Sequence, residues 1–154
     1  REAIYSLIGT EVAGKHAVDL FAGTGALGIE ALSRGATQAT FIERHFPTGD
    51  LIKKNLAELG TAGDVLGSDT FFWSRQPLEL GSAPWLVFCS PPYDFYHSRQ
   101  DEMLELIGGL IQAAPAGSIV VVEADTPFDM ALLPRAEAWD VRHYPPAVVG
   151  ILRL

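Results

Sequence analysis

Four groups of residues in this chain have the types and spacing to do chemistry: Asp19, the loop Gly23-Thr24-Gly25-Ala26-Leu27-Gly28, Glu43, and the tetrapeptide Ser90-Pro91-Pro92-Tyr93. The loop matches G-x-G-x-x-G, in which small residues let backbone N–H groups and a helix N-terminus approach a ligand closely. Glu43 follows Gly23 by twenty residues and closes the next apolar run. A carboxylate placed there can accept hydrogen bonds from both hydroxyls of a ribose. A nucleoside-containing cofactor is the natural inference, and the glycine pattern alone permits NAD or S-adenosylmethionine. Asp19 favours the second, because an anion beside the loop suits a cationic sulfonium and ammonium better than an anionic pyrophosphate. The competing readings are a loop-bracing carboxylate at 19 and glycines that only pack helix on strand.

In Ser90-Pro91-Pro92-Tyr93, two successive prolines fix the backbone and hold the carbonyls before and at Pro91 rigid, while Tyr93 offers a ring on which a flat base could stack. Rigid acceptors beside a stacking face suit a planar amine. The plainer alternative is a strand end followed by a gap-filling tyrosine. His16, His45, His97 and His143 are scattered without metal-ligand spacing, so surface roles and no metal site are expected. The serines Ser33, Ser90 and Ser98 lack a nucleophile-elbow context, which argues against a hydrolase.

These residues need elements to position them. Ile4, Leu7 and Ile8 have helical spacing before Gly9. The stretch 16–21 reads as a strand, 22–25 as a glycine loop and 26–33 as a helix. A second unit follows, strand 39–42 and helix 51–59, then a weak strand at 65–66 and a short helix on the aromatic cluster 71–73. The run 85–89 is continuously apolar, as a strand buried on both faces should be; 103–114 reads as a helix and 118–123 as another buried strand. Alternating strands and helices predict an α/β, Rossmann-like parallel sheet covered on both faces. The tail differs: 139–144 and 148–154 flank Tyr144-Pro145-Pro146 with no helix between, and read as an antiparallel pair at the sheet edge. The informative residues Asp19 to Gly28, Glu43, Asp69 and Ser90 to Tyr93 then fall together at the carboxyl ends of the strands, where open parallel sheets bind ligands.

The chain has 154 residues, 48% apolar and 19% charged, enough for one domain spanning 1–154 with a single well-filled sheet. The one cysteine, Cys89, excludes an internal disulfide, and no apolar run is long enough for a membrane helix. A cytoplasmic, non-membrane protein is the expectation. The net charge is −8, with 6 basic and 7 acidic residues in 1–60 (net −1) and 5 and 12 in 61–154 (net −7). That sign is wrong for gripping nucleic acid through the general surface.

Arg1 to Ile8, the stretch Asp19 to Ala36, Phe41-Ile42-Glu43 and Ser90-Pro91-Pro92-Tyr93 together closely resemble the RsmD-type methyltransferases. The resemblance covers essentially the whole chain. It implies a class I methyltransferase fold, a seven-stranded, mostly parallel sheet with one antiparallel edge strand. It also implies S-adenosyl-L-methionine as cofactor and methylation of the exocyclic N2 of a guanine in 16S rRNA, with 16S rRNA or a small ribosomal subunit particle as partner, acting as a monomer. Carried onto this sequence, Asp19, Phe21, Ala22, Gly23, Thr24 and Gly25 would hold the methionine part of the cofactor, Glu43 its ribose and Asp69 the adenine amino group, while Ser90, Pro91, Pro92 and Tyr93 would hold the target base.

Ser90 departs from the family, which has an acid or amide at that position. Losing a charge-assisted hydrogen bond in the transition state costs roughly 1.5–3 kcal/mol, about ten- to a hundredfold in rate. Asp94, next along the chain, is a candidate for the missing carboxylate. The loop Tyr93, Phe95, Tyr96, His97 and Arg99 reads as an RNA-facing lip, and Lys53-Lys54 as a solvated face or a phosphate contact. The same tetrapeptide pattern also suits adenine-N6 or glutamine-N5 methyltransferases, and an NAD-binding or catalytically silent Rossmann domain is the reading outside that class. The family carries an N-terminal extension ahead of the segment that starts here at Arg1. Its absence is therefore expected, with RNA-binding charge lying outside these residues.

Overall fold

The structure is a computed structural model describing residues 1–154. The strands are β1 (His16–Asp19), β2 (Gln38–Ile42), β3 (Asp64–Leu66), β4 (Trp85–Cys89), β5 (Ile119–Asp125), β6 (Asp140–Tyr144) and β7 (Ala147–Arg153). The helices are α1 (Glu2–Ile8), α2 (Ala26–Ser33), α3 (Phe46–Glu58), α4 (Thr70–Ser74), α5 (Phe95–Ser98) and α6 (Gln100–Ala113).

All seven strands form one sheet in the order β3-β2-β1-β4-β5-β7-β6. β1 to β5 are parallel; β7 is antiparallel both to β5 and to β6. The hairpin at the sheet edge expected from Tyr144-Pro145-Pro146 is present. The strand that runs against the others, β7, lies one place in from the edge, and β6 takes the outermost position.

Each sheet face carries its own core because successive strand residues point to opposite sides. Val18, Val87, Cys89, Val120 and Val122 pack against Phe71 of α4 and Met103, Leu106, Ile107 and Leu110 of α6. Ala17, Leu86, Phe88, Ile119 and Val121 pack against Ile4, Tyr5 and Ile8 of α1, Ala31 of α2, and Ile52 and Leu56 of α3. Both faces of β1, β4 and β5 are therefore dry, which explains their uninterrupted apolar sequences.

Three expectations need correction. Helix α3 begins at Phe46, five residues ahead of the periodic signal, with Pro47 in its first turn, where the missing N–H costs nothing. One residue past the tetrapeptide, with Asp94 as N-cap, comes the helical turn α5, which its length hid. His16 is not a surface residue: it is 4% exposed, and its ring nitrogens bond Leu80 O at 2.9 Å and Thr40 Oγ1 at 2.8 Å, bracing β1 against β2.

Candidate active site

The strand ends on the carboxyl side of β1, β2 and β4 open into a cleft of about 610 Å3. Phe21, Gly23, Glu43, Asp69, Ser90, Pro91 and Pro92 line it, together with Ile42, Arg44, His45, Thr70 and Phe95. A second groove, of about 650 Å3, lined by Phe71, Trp85 and Leu110, holds none of the candidate site residues.

Asp19 ends β1 beneath the glycine loop and is 2% exposed. Its Oδ1 is buried with no hydrogen-bond partner. Burial raises its pKa to about 7; the backbone amides of Gly28 and Phe21 pull the other way, and the charge of Glu43 adds to the rise. Asp19 does not line the cleft; its orphaned oxygen and its charge lie behind the glycine loop.

The three glycines of the loop have separate reasons to be glycine. Gly23 has φ +54 and exposes its N–H to the acid that follows β2. Gly25, at φ +82, is the N-cap of α2. A Cβ on Gly28 would stand 2.9 Å from the Phe41 ring, so that residue lets α2 lie on β2 and is not a ligand contact. Between them, the Ala22 N–H donates to Ile42 O at 3.0 Å and the Gly25 N–H to Ala22 O at 2.8 Å, closing a turn with Thr24 exposed at its tip. Ala22, Thr24 and Gly25 shape the loop without lining the cleft.

Glu43 is half-buried just past β2. Its Oε1 accepts from the Gly23 N–H and its Oε2 from the His45 N–H, both at 2.9 Å. The carboxylate expected to meet a ribose thus also ties the loop to the start of α3. Asp69 is the N-cap of α4, with Oδ1 accepting from the Phe72 N–H at 2.9 Å, and Thr70 Oγ1 donates to Leu20 O. Asp69 also lines the cleft.

Phe21 packs edge-on against Phe71 and Phe95, at centroid distances of 6.0 and 5.9 Å, and the Arg99 guanidinium lies 4.0 Å above Phe71 and 5.1 Å from Phe95. This aromatic wall joins the glycine loop to the residues after β4. Aromatic content at 71 and 95 is plain in the sequence, but their meeting with Phe21 is a tertiary fact.

At the acceptor side, Ser90 Oγ is buried without a partner, beside the buried Pro91. Tyr93 does not line the cleft; its hydroxyl donates to Glu123 Oε2 at 3.2 Å, at the end of β5. Burial and then the Glu123 charge push the Tyr93 phenol upward. Asp94 is exposed, its Oδ2 accepts from Ser98 Oγ at 2.8 Å, and it does not line the cleft. Sequence reasoning passed over Glu123 and Thr70; the rule that drew attention to Glu43, an acid at the carboxyl end of a parallel strand, applies equally to Glu123. No three His, Cys, Asp or Glu side chains cluster as metal ligands would, and no helix is long and apolar enough to cross a membrane.

A sheet with β7 reversed between β5 and β6, a glycine loop after β1, an acid after β2 and a Pro-Pro segment after β4 define a class I methyltransferase fold. The chain belongs to the family described as conserved hypothetical protein 95, whose family model matches residues 1–144. It is 37% identical over 95 residues to the ribosomal RNA small subunit methyltransferase D of Escherichia coli (strain K12), covering 60% of this chain and 46% of that protein. The structure of yhhF from Escherichia coli superposes with a TM-score of 0.80 at 26% identity, covering 98% of this chain and 83% of that one. The Thermus thermophilus 16S rRNA N2 G1207 methyltransferase RsmC, solved with AdoMet and guanosine, superposes with a TM-score of 0.76 at 21% identity, covering 99% and 41%. The chain spans about half the length of the curated relatives it matches.

Proposed function

We propose that this chain binds S-adenosylmethionine in the cleft and catalyses transfer of its methyl group to the exocyclic N2 amine of a guanine in 16S rRNA. The observation that carries the reading is the meeting of Gly23, Glu43, Asp69, Ser90 and Pro91 in one cleft, with the buried, unpartnered Asp19 Oδ1 behind the glycine loop. Bound S-adenosylmethionine supplies an electrophilic methyl group on a sulfonium.

The chain's own residues account for the rest. Asp19, buried behind the loop, draws the cofactor's ammonium by its charge, and the Thr24 N–H, the loop amide with no internal partner, is the one left for its carboxylate. Glu43 has lone pairs beyond its two backbone bonds for the ribose hydroxyls, and the uncapped oxygen of Asp69 is available to the adenine amine. Phe21 and Phe95 exclude water beside the sulfonium. Ser90 Oγ and the rigid carbonyls at Pro91 accept hydrogen bonds from the acceptor amine, so its lone pair points at the methyl. Alignment of this kind is what an in-line displacement needs most.

The small ribosomal subunit as substrate, a monomeric state and a cytoplasmic location belong to the same proposal. With a net charge of −8, RNA binding by these residues is weak and falls steeply with salt. The test pairs calorimetry with S-adenosylhomocysteine and NADH against tritiated-methyl transfer to protein-deficient small subunits. Binding of S-adenosylhomocysteine but not NADH, with label in 16S rRNA, is expected. NADH binding alone, or label in adenine or in protein, overturns the reading.

A further inference from the structure

Position 90 leaves the acceptor site without the acid or amide that a planar amine would be held by, and the one side chain there, Ser90 Oγ, is buried and unpartnered. Strand register points to a neighbour. Cys89 of β4 pairs with Val122 of β5, so Glu123 is the residue on β5 level with Ser90. Along β5, Ile119 and Val121 belong to the core under α1 to α3, and alternation puts Glu123 in the same row. Along β4, Leu86 and Phe88 occupy that side, and the same alternation returns to it one residue past Cys89. Ala17, and two residues on Asp19, take it on β1.

Glu123 is also physically attached to the tetrapeptide, through the Tyr93 hydroxyl on Oε2. Its other oxygen carries no side-chain hydrogen bond, and no lysine or arginine pairs with it. The neighbouring acids are committed elsewhere: Asp125 holds His97 Nε2 with both oxygens, at 2.8 and 3.1 Å, and Asp94 holds Ser98. Among the carboxylates around the Pro-Pro turn, Glu123 is the half-buried one with an oxygen to spare.

Building on the methyltransferase reading above, we propose that Glu123 supplies the carboxylate that position 90 lacks, accepting a hydrogen bond from the acceptor amine and taking the proton that methylation releases. The balance is simple. The amine nitrogen bonds the methyl carbon, the carbon–sulfur bond breaks with its electron pair going to sulfur, and one N–H proton passes to the free oxygen of Glu123 and on to water. Tyr93, donating to the other oxygen, keeps the carboxylate turned toward the turn.

A purely structural Glu123 would only anchor Tyr93, and Glu123→Gln retains that anchor because an amide oxygen still accepts from the phenol. The experiment compares four full chains: wild type, Glu123→Gln, Ser90→Asp and the double variant. Each is measured for methyl transfer to protein-deficient small subunits, for S-adenosylhomocysteine affinity, and for guanosine binding to the S-adenosylhomocysteine complex by ligand-detected NMR. Glu123→Gln is expected to lower turnover about ten- to a hundredfold and weaken guanosine binding, with S-adenosylhomocysteine affinity unchanged. Once Ser90→Asp has restored an acid at position 90, the same change is expected to cost less than about threefold, because the two carboxylates share one task. Unchanged turnover in Glu123→Gln, or equal losses in both backgrounds, overturns the inference. So does an inactive wild type that Ser90→Asp activates, an outcome that leaves the reading of the site standing. No transfer by any of the four overturns that reading and the inference with it.

Discussion

The backbone N–H of Gly23 donates to Glu43 Oε1 at 2.9 Å, so the first glycine of the loop after β1 is held by the acid that follows β2. The second oxygen of the same carboxylate receives the His45 N–H. One side chain therefore sets the loop and the entry to α3 before any ligand arrives, and remains able to accept further hydrogen bonds at the cleft.

Glu43→Gln tests this double role. An amide has one acceptor where the carboxylate has two, so one backbone N–H is left facing an NH2 group, a cost of roughly 1–3 kcal/mol. The expected result is a lower melting temperature without ligand, together with S-adenosylhomocysteine affinity reduced about tenfold or more. A variant that loses affinity but melts like wild type shows that the brace adds no stability.

Asp19 makes the unliganded protein sensitive to pH. Its folded pKa of about 7 lies above the ordinary value of 3.8, so between those values the folded state holds more protons than the unfolded one. The contribution of Asp19 to stability is full below pH 3.8 and is lost as pH rises through about 7, by a few kcal/mol. Asp19→Asn removes this dependence. Thermal melts at pH 5 and pH 8 are expected to show wild type falling further than the variant, with the variant the more stable of the two at pH 8. The same substitution is expected to abolish S-adenosylhomocysteine binding, and wild-type affinity is expected to rise with pH up to about 7, since a cationic ligand group requires the ionised acid.

The loop glycines separate by substitution. Gly28→Ala drives a Cβ to 2.9 Å from the Phe41 ring, an overpacking cost of about 1–3 kcal/mol that urea titration would detect. Cofactor affinity is expected to change less than about threefold, since the site is a packing contact. Gly25→Ala combines a left-handed φ of +82 with Ile52 at 3.1 Å and is expected to lower both stability and affinity. Equal losses of affinity in the two variants would argue that Gly28 meets the ligand after all.

Arg99 stabilises the aromatic wall from behind. Arg99→Ala removes a guanidinium stacked on Phe71 and Phe95, whose edges support Phe21, and loses its bonds to Glu102 at 2.9 and 3.0 Å. Stability is expected to fall by about 1–2 kcal/mol, with a weaker cofactor complex. Arg99→Lys is expected to rescue little, because an ammonium cannot stack. A lysine variant equal to wild type in melting and calorimetry contradicts this role.

Several elements were plain in the amino-acid order. β4 and β5 are buried on both faces and read as continuous apolar runs, α2 is bounded by Gly25 and by Gly35, and the heptapeptide α1 stops at Gly9 with φ +51. The first turn of α3 was hidden because Pro47 and Gly49 are poor helix formers that a helix tolerates only at its start or under tertiary packing. His16 looked like any scattered histidine until Leu80 O and Thr40 Oγ1 closed around it from 64 and 24 residues away.

By itself the sequence determined which residues could take part. Asp19, Glu43, Asp69 and Ser90 each follow or end an apolar strand, and the strand alternation sends all such ends to one side of a parallel sheet. Only the tertiary structure decided what each of them does there. One oxygen of Asp19 is orphaned because the sheet buries it, Glu43 is occupied by two backbone amides, Asp94 turns to Ser98, and the Tyr93 hydroxyl is held by Glu123. Local pattern specifies a residue's element and face, whereas hydrogen-bond partners across 20 or 30 positions depend on which strands lie side by side, and the order β1-β4-β5-β7-β6 is a property of the whole sheet.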